Sequence, residues 1–379
     1  MVRRSLLVLL LAGAGLVPAA AQSLRITERL EVLQERARTD SLDPASHYNL
    51  AMGYLSKKQW DAADSALRRA VAIDNQFADA WLALSIARDR DDDYWGALRK
   101  VSKDSVYKEF ERRTGYYRRA FLADPMVDIR ILGSVMWVRP WGDFANGLKG
   151  LTEGRYDDAF KNFDNTVRRY FGSEPLDKVP EDLVWFRALA AARSANPDAA
   201  IPDFESLVRR IEAAGADTTR EDAPLRANEY RYVLAALHHR AGRLDQATAL
   251  YRQVAENDAG NYMAHVRLAA IAEGQRDYAT AVRERGYAVN TNPDDAALLT
   301  DLGITLGKSG DMVQAEERLQ QAVEMNPRDV RPLFWLGIAT QAQGKKEASR
   351  EAFTRFVTLA PKRYERQVAS ARERLTQLQ

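Results

Sequence analysis

The sequence contains no cysteine, and this absence removes several kinds of chemistry at once. Without thiols the chain forms no disulfide, no iron–sulfur cluster and no thiol nucleophile. Histidine is also scarce, with four residues in all. His238 and His265 fall on neighbouring predicted helices, but the sequence offers no complete ligand set around them. We therefore predict no metal and no other cofactor.

An excess of charge of one sign is also missing. The chain has 55 basic and 53 acidic residues, and loss of Arg3 and Arg4 with a predicted signal segment would leave 53 of each. Proteins that bind a nucleic-acid backbone neutralise its phosphates with a clear excess of Lys and Arg. We therefore expect no nucleic-acid partner.

Long apolar runs are absent, and a single short run stands near the start, at residues 6–17. It is shorter than the roughly 20 residues that a spanning helix needs. Arg3 and Arg4 precede it, and small residues at 18–22 follow it, which is the pattern of a cleaved secretory signal. We predict that residues 1–21 are removed and that the mature chain is periplasmic or secreted, with no integral membrane segment.

The chain does contain an internal repeat. Pro293, Pro327 and Pro361 are spaced 34 residues apart, and leucine, alanine or glycine recurs at matching positions between them. The leucines are Leu234, Leu268, Leu302 and Leu336, and the small residues are Ala235, Ala269, Gly303, Gly337, Ala247, Ala281, Ala315 and Ser349.

This pattern resembles the tetratricopeptide repeat family. The resemblance implies that each unit is an antiparallel pair of helices, A and B, whose small residues let the two backbones approach closely. Larger residues, Tyr251, Leu319 and Phe353, would fill the gap to the next unit. The expected fold class is all-α, a right-handed solenoid of the tetratricopeptide type with two repeat arrays and an irregular middle segment.

The same register divides the rest of the chain. Residues 101–115 delay the closing signature of the second repeat and are predicted to lengthen or interrupt its helix B. The predicted segments are a signal peptide at 1–21, an N-terminal helix at 22–42, repeats with an insertion at 43–126, an irregular segment with degenerate repeats at 127–214, a connecting loop at 215–227, four repeats at 228–361 and a capping helix at 362–379.

The resemblance also implies a binding surface, because the inner positions of helix A line a groove that holds extended peptides in this family. The predicted groove residues are Tyr232, His239, Met263, Val266, Arg267, Ile304, Phe334, Trp335 and Ile338. An exposed apolar strip of this kind usually marks a binding site. The alternative is that some of them, especially Val266 and Phe334, pack against the neighbouring repeat.

Two short motifs resemble ligand sites but lack essential residues. Gly307-Lys308-Ser309 lacks the earlier glycine of a phosphate-binding loop, and residues 89–93 lack the turn glycine and distal glutamate of a calcium loop. No nucleophile with an adjacent base is evident. We therefore predict no catalytic residues and a non-catalytic extracytoplasmic scaffold that binds a protein or peptide in its groove, with a role in envelope assembly or transport.

Two other functions stay open. Tryptophan can stack on sugars as well as pack in cores, so the aromatic region 125–190, with Trp137, Trp141 and Trp185, could bind a glycan or another small molecule. The third reading is an enzyme whose site lies in the same region.

Overall fold

The computed structural model describes residues 29–88, 91–124, 142–213 and 227–378, and these residues form α-helices joined by short turns. The predicted all-α helical-repeat fold is confirmed. The helices are α1 (Leu30–Thr39), α2 (Pro44–Ser56), α3 (Trp60–Ile73), α4 (Ala78–Ile86), α5 (Asp92–Val101), α6 (Lys103–Ala123), α7 (Gly142–Thr152), α8 (Tyr156–Phe171), α9 (Glu181–Arg193), α10 (Ile201–Ala213), α11 (Ala227–Arg240), α12 (Leu244–Asn257), α13 (Tyr262–Gly274), α14 (Tyr278–Thr291), α15 (Ala296–Ser309), α16 (Met312–Met325), α17 (Arg331–Ala342), α18 (Lys346–Leu359) and α19 (Glu365–Gln377). The predicted signal peptide and nearly all of the predicted connecting loop lie outside the described residues.

The helices form two compact units. The middle unit holds the described residues between 81 and 258, and the composite unit combines residues 29–80 with residues 259–378. The first repeat therefore packs with the last three repeats, whereas the sequence grouped it with the repeat that follows it in the chain. Repeat register predicts neighbours along the chain and carries no information on contacts between distant repeats.

In the composite unit, helix ends are set by short polar side chains and by glycine. The carboxylate of Asp295 accepts hydrogen bonds from the backbone N–H groups of Ala297 and Leu298 at the start of α15. Asp311 caps α16 in the same way, and each such cap contributes about 1 kcal/mol. Gly310 ends α15 with φ of 96°, a left-handed conformation that favours glycine.

The small and large residues of the repeat meet as the steric pattern requires. A Cβ added to Gly303 would lie 2.6 Å from Cγ of Leu319, and one added to Gly337 would lie 2.6 Å from Cε1 of Phe353. Both distances are too short for real carbon atoms, so only glycine allows the larger side chain to sit this close. Gly147 and Phe163 repeat the arrangement in the middle unit.

Two elements modify the regular helix pairs. In the middle unit α5 ends at Val101, and the Ser102 hydroxyl caps α6, which then runs for 21 residues. In the composite unit α19 follows the last repeat, and its residues Val368 and Leu375 pack against a core that contains Phe353, Phe356 and Leu378.

Candidate functional site

Most of the predicted groove residues lie on the A helices α13, α15 and α17 of the composite unit. Five predicted groove residues lie on these helices with half-buried side chains: Arg267, Ile304, Phe334, Trp335 and Ile338. Ile304 and Trp335 pack against one core cluster, which also contains Leu302, Leu319 and Leu336. The structure thus brings apolar groove residues of two neighbouring repeats together.

A small recess opens beside Trp335, and we call it the Trp335 recess. It is lined by residues of α15, α16 and α17: Gly303, Gly307, Lys308, Met312, Ala315, Leu319, Trp335, Ile338 and Ala339. Its cavity volume is about 60 Å³, far below the roughly 300–1,000 Å³ of small-molecule pockets. The recess therefore suits one apolar side chain of a partner better than a whole small ligand.

The recess is open where α15 lacks a side chain, at Gly307. The equivalent residues of the other three C-terminal repeats are His239, Glu273 and Gln341. A Cβ at Gly307 would meet Ala315 at 3.8 Å, which is ordinary van der Waals contact. Packing therefore does not require glycine at this position.

Three of the predicted groove residues are buried, which corrects their assignment to an exposed surface. Tyr232 is 0% exposed, and its hydroxyl donates a hydrogen bond of 2.7 Å to the carbonyl oxygen of Leu122. Its ring packs edge-on against Tyr251. Met263 and Val266 are also buried. These side chains belong to the cores of their units, because they fill space between neighbouring helices.

Two other predicted groove residues have specific neighbours. The ring of Phe334 lies with its centroid 5.3 Å from that of Phe356 and 5.9 Å from that of Trp335, so much of its surface packs inside the composite unit. His239 belongs to the middle unit, where it is half-buried with its ring centroid 6.0 Å from that of Tyr251. The Phe334 ring therefore packs against the Trp335 ring and stabilises its position.

A chain of charged side chains runs beside the recess, and sequence reasoning missed it. Arg285 Nη1 lies 3.1 Å from Oδ2 of Asp301, and its Nη2 lies 3.5 Å from Oε1 of Glu273. The other oxygen of Glu273 accepts a hydrogen bond of 3.0 Å from Nζ of Lys308, which lines the recess. Arg331 extends the chain, with Nη1 at 3.8 Å from Oδ1 of Asp301. We call these five residues the ionic chain.

The electrostatics of the ionic chain reflect its burial. Burial raises the pKa of the Asp301 carboxyl, although Arg285 and Arg331 act in the opposite direction. Burial also opposes the charge of Arg331, but Asp329 and Asp301 outweigh it and raise the pKa of the guanidinium. One feature of the sequence could have revealed the ionic chain. Arg285 places a charge at the repeat position that large apolar or aromatic residues occupy elsewhere, namely Tyr251, Leu319 and Phe353.

Glu273 should make stability depend on pH. Burial opposes its ionisation, but hydrogen bonds from Thr305 and Lys308, together with the positive charges of Arg285 and Lys308, outweigh burial and lower the pKa of its carboxyl. A lowered pKa stabilises the fold above the carboxyl's usual range, and this stabilisation is lost as the pH falls through the lowered value. We expect Glu273→Gln to flatten the dependence of unfolding free energy on pH below about 5, by no more than the ~1.4 kcal/mol per pH unit of one proton. Urea unfolding at a series of pH values measures this, and equal slopes for parent and variant would contradict it.

The other candidate chemistries gain no support from the described residues. Trp185 is buried against Phe204 and Tyr230, so its faces do not stack on a sugar, while Trp137 and Trp141 lie outside the described residues. Among the side chains that the structure describes, no group of three His, Asp or Glu residues is placed to hold a metal ion. Across the same ranges, no helix has the length and apolar character needed to cross a bilayer.

Antiparallel helix pairs that recur every 34 residues define a helical-repeat protein. Residues 300–364 match the family model described as tetratricopeptide repeat. Residues 300–364 therefore carry tetratricopeptide repeats, as the sequence pattern predicted.

Solved structures with this architecture are similar to the chain at low identity. The C-terminal part of a tetratricopeptide repeat-containing protein from Cytophaga hutchinsonii is 14% identical, with 61% of this chain and 85% of that chain covered and a TM-score of 0.50. MamA (residues 41 to the end) from Desulfovibrio magneticus RS-1 is 18% identical, with 47% and 94% covered and a TM-score of 0.40. No curated protein sequence matches the chain. At these identities the likeness shows the fold alone, and this fold suggests a scaffold for protein–protein interaction.

Proposed function

We propose that the chain is a non-catalytic scaffold that works outside the cytoplasm and binds a protein or peptide partner at the Trp335 recess. The observation that carries the proposal is the open space over Gly307, which is walled by apolar groups of two neighbouring repeats. The extracytoplasmic location is supported by the signal-like pattern of residues 1–21. The proposed role is in envelope assembly or transport, and the identity of the partner would show which of these processes is involved.

The recess predicts how the partner is recognised. Trp335 is half-buried and supported by Phe334, so its indole is held in place and offers a large apolar surface. Tryptophan is enriched among the few interface residues that carry most of the binding energy. Lys308 at the wall is already paired with Glu273, so the recess itself presents little unpaired charge. The expected partner segment inserts a neutral apolar side chain.

The sharpest test fills the recess without disturbing the fold. We expect Gly307→Gln to weaken partner binding at least about tenfold, because the new side chain occupies the space that the partner's anchor needs. Glutamine already occupies the same repeat position at residue 341, so the change fits the repeat. Gly307→Ala is the matched control, because its Cβ reaches only ordinary contact with Ala315 and leaves most of the recess open.

The measurement is affinity capture from an envelope fraction with residues 22–379 of the parent and of both variants, followed by titration of the captured protein. The proposal predicts that the parent and Gly307→Ala recover the same partner and that Gly307→Gln does not. Replacing an interior glycine should also stabilise α15 by up to about 1 kcal/mol, so a loss of binding could not be blamed on unfolding. Equal recovery by all three proteins, or by none, would contradict the recess as the binding site.

The proposed extracytoplasmic location is tested by a separate experiment. We expect the chain recovered from producing cells to have lost residues 1–21 and to be released with the envelope fraction, because this segment has the pattern of a cleaved export signal. Intact-mass measurement of the purified protein checks the expected start at Gln22. A full-length chain confined to the cytoplasm would contradict the extracytoplasmic role and would leave the recess test unaffected.

A further inference from the structure

The first repeat contacts the last repeats through one of its ends. Helices α2 and α3 form an antiparallel hairpin, so the turn before α2 and the turn after α3 lie side by side. We call this hairpin with its two turns, residues 40–76, the strap. Asn326 Nδ2 donates a hydrogen bond of 3.1 Å to the carbonyl oxygen of Ala72, and Asp43 lies 2.9 Å from Nη1 of Arg363. Leu42 packs against the core cluster of the last repeat.

The turn after α3 adds one more contact and one nearby charge. The side-chain amide of Asn75 donates a hydrogen bond to the buried carboxylate of Asp295. The negative charge of Asp74 also acts on Arg331, as the weakest of the influences that raise the pKa of its guanidinium. The strap therefore contacts three successive turns, which precede α15, precede α17 and follow α18.

This arrangement departs from the usual mechanics of a helical-repeat array. In such an array each repeat contacts its sequence neighbours alone, so stability is a sum of local terms and the array bends easily. Here one hairpin contacts three junctions that lie more than 200 residues away along the chain. A contact of this kind holds the relative positions of α15 and α17, which are two of the three helices that wall the Trp335 recess.

The charge of Asp74 in the strap also acts on one end of the ionic chain. The negative charge of Asp74 acts on Arg331, and the chain continues from Arg331 through Asp301 and Arg285 to Glu273. The last link is Lys308, whose side chain lines the recess. From Arg331 onward, every step of this path joins side chains of opposite charge within the composite unit.

We propose that the strap is a conformational clamp that fixes the spacing of α15 and α17 and thereby sets the shape and affinity of the Trp335 recess. Docked, it holds the last repeats in one register. When the strap is released, the spacing of α15 and α17 is no longer fixed, and the Trp335 recess loses its defined shape. The effect on affinity rests on the proposed function of the recess, whereas the effect on the helices does not.

The first experiment is hydrogen exchange measured by mass spectrometry on the full chain. The strap variant is Asp74→Asn with Arg363→Gln, which removes one charge of the strap and the charge of Arg363, the partner of Asp43, while keeping the turn-forming oxygen of residue 74. The control variant is Glu35→Gln with Arg355→Gln, which removes the same charges from exposed pairs inside single helices. We expect amides of α15–α17 to exchange at least about fivefold faster in the strap variant, with α8 of the middle unit unchanged. Exchange in α15–α17 equal to that of the control would overturn the clamp.

A second variant tests the same contact by linking it, so that the test does not depend on whether the strap variant folds. The chain has no native cysteine, so Asp43→Cys with Arg363→Cys introduces two unique thiols where the strap meets the last turn. A short bis-maleimide should join them in the folded protein and slow exchange in α17 relative to the same variant left unlinked. Failure of the two thiols to link in the folded chain would overturn the docked strap.

The coupling to the recess is then measured with the partner captured by the parent. We expect the strap variant to bind that partner about fivefold more weakly and the control variant to bind it as the parent does. Faster exchange with unchanged affinity would overturn the link to the recess. If the parent binds no partner at Gly307, the proposed function fails while the exchange result still decides the clamp.

Discussion

Arg285→Ala should lower the free energy of unfolding of the composite unit by about 3–5 kcal/mol, the usual cost of removing one partner from a buried ion pair. Arg285 is 9% exposed, and its guanidinium lies within 3.5 Å of carboxylate oxygens on both Asp301 and Glu273. Its loss leaves Asp301 with Arg331 at 3.8 Å as the remaining cation. Urea unfolding monitored by circular dichroism measures the change.

A second variant separates charge from packing. Arg285→Leu with Asp301→Asn places at position 285 the residue that the next repeat carries at Leu319, and it removes the carboxylate that loses its nearer cation. Buried ion pairs can often be replaced by apolar groups at little cost, so we expect this double variant to recover more than half of the lost stability. Arg355→Ala, at an exposed pair, should change stability by less than about 0.5 kcal/mol. A loss below about 1 kcal/mol for Arg285→Ala would show that the ionic chain contributes little.

Phe353→Ala is the second large effect, with an expected loss of about 3–5 kcal/mol. The side chain is fully buried and packs on the backbone of Gly337, where a Cβ would lie 2.6 Å from its ring. Truncation therefore opens a cavity at the junction of α17 and α18, which the glycine cannot fill. Tyr287→Ala, at a ring that is 47% exposed, is the control and should change stability by less than about 0.5 kcal/mol.

The same pair gives a test of the steric pattern itself. Gly337→Ala alone should destabilise the repeat, because the added methyl group collides with the Phe353 ring. In the Phe353→Ala background the methyl group enters the cavity, so the same change should cost little or even stabilise. Equal effects of Gly337→Ala in both backgrounds would contradict direct contact as the reason for glycine at this position.

The repeat could be predicted from the sequence because its physical cause is local. A glycine sixteen residues before a large apolar residue indicates a close helix pair, and Gly303 with Leu319 and Gly337 with Phe353 form such pairs. The turn at Gly310 follows from the same register, because a left-handed residue must end the helix there. Trp335 and Ile338 were also found from their repeat positions, and both line the recess.

Other features could not be predicted, since they depend on contacts that register does not describe. Tyr232 holds an inner helix-A position but is covered by α6, the long helix in the interrupted repeat, through its bond to Leu122. The strap depends on polar contacts between turns far apart in the chain, such as Asn326 with Ala72. In the sequence, Gly307 stands out as part of an incomplete phosphate-loop motif. In the structure, its missing side chain leaves the Trp335 recess open.

The most direct test of the central claim is site-specific photocrosslinking at the recess. A photoreactive phenylalanine analogue placed at Ala342, an exposed residue one turn after Ile338 on α17, lies within reach of a partner seated there. The same group at Glu324, exposed on α16, serves as the matched control. The account predicts that a protein partner crosslinks at 342 and not at 324, and that Gly307→Gln abolishes the product. Crosslinking of equal yield at both positions, or a product at 342 that survives Gly307→Gln, would contradict it.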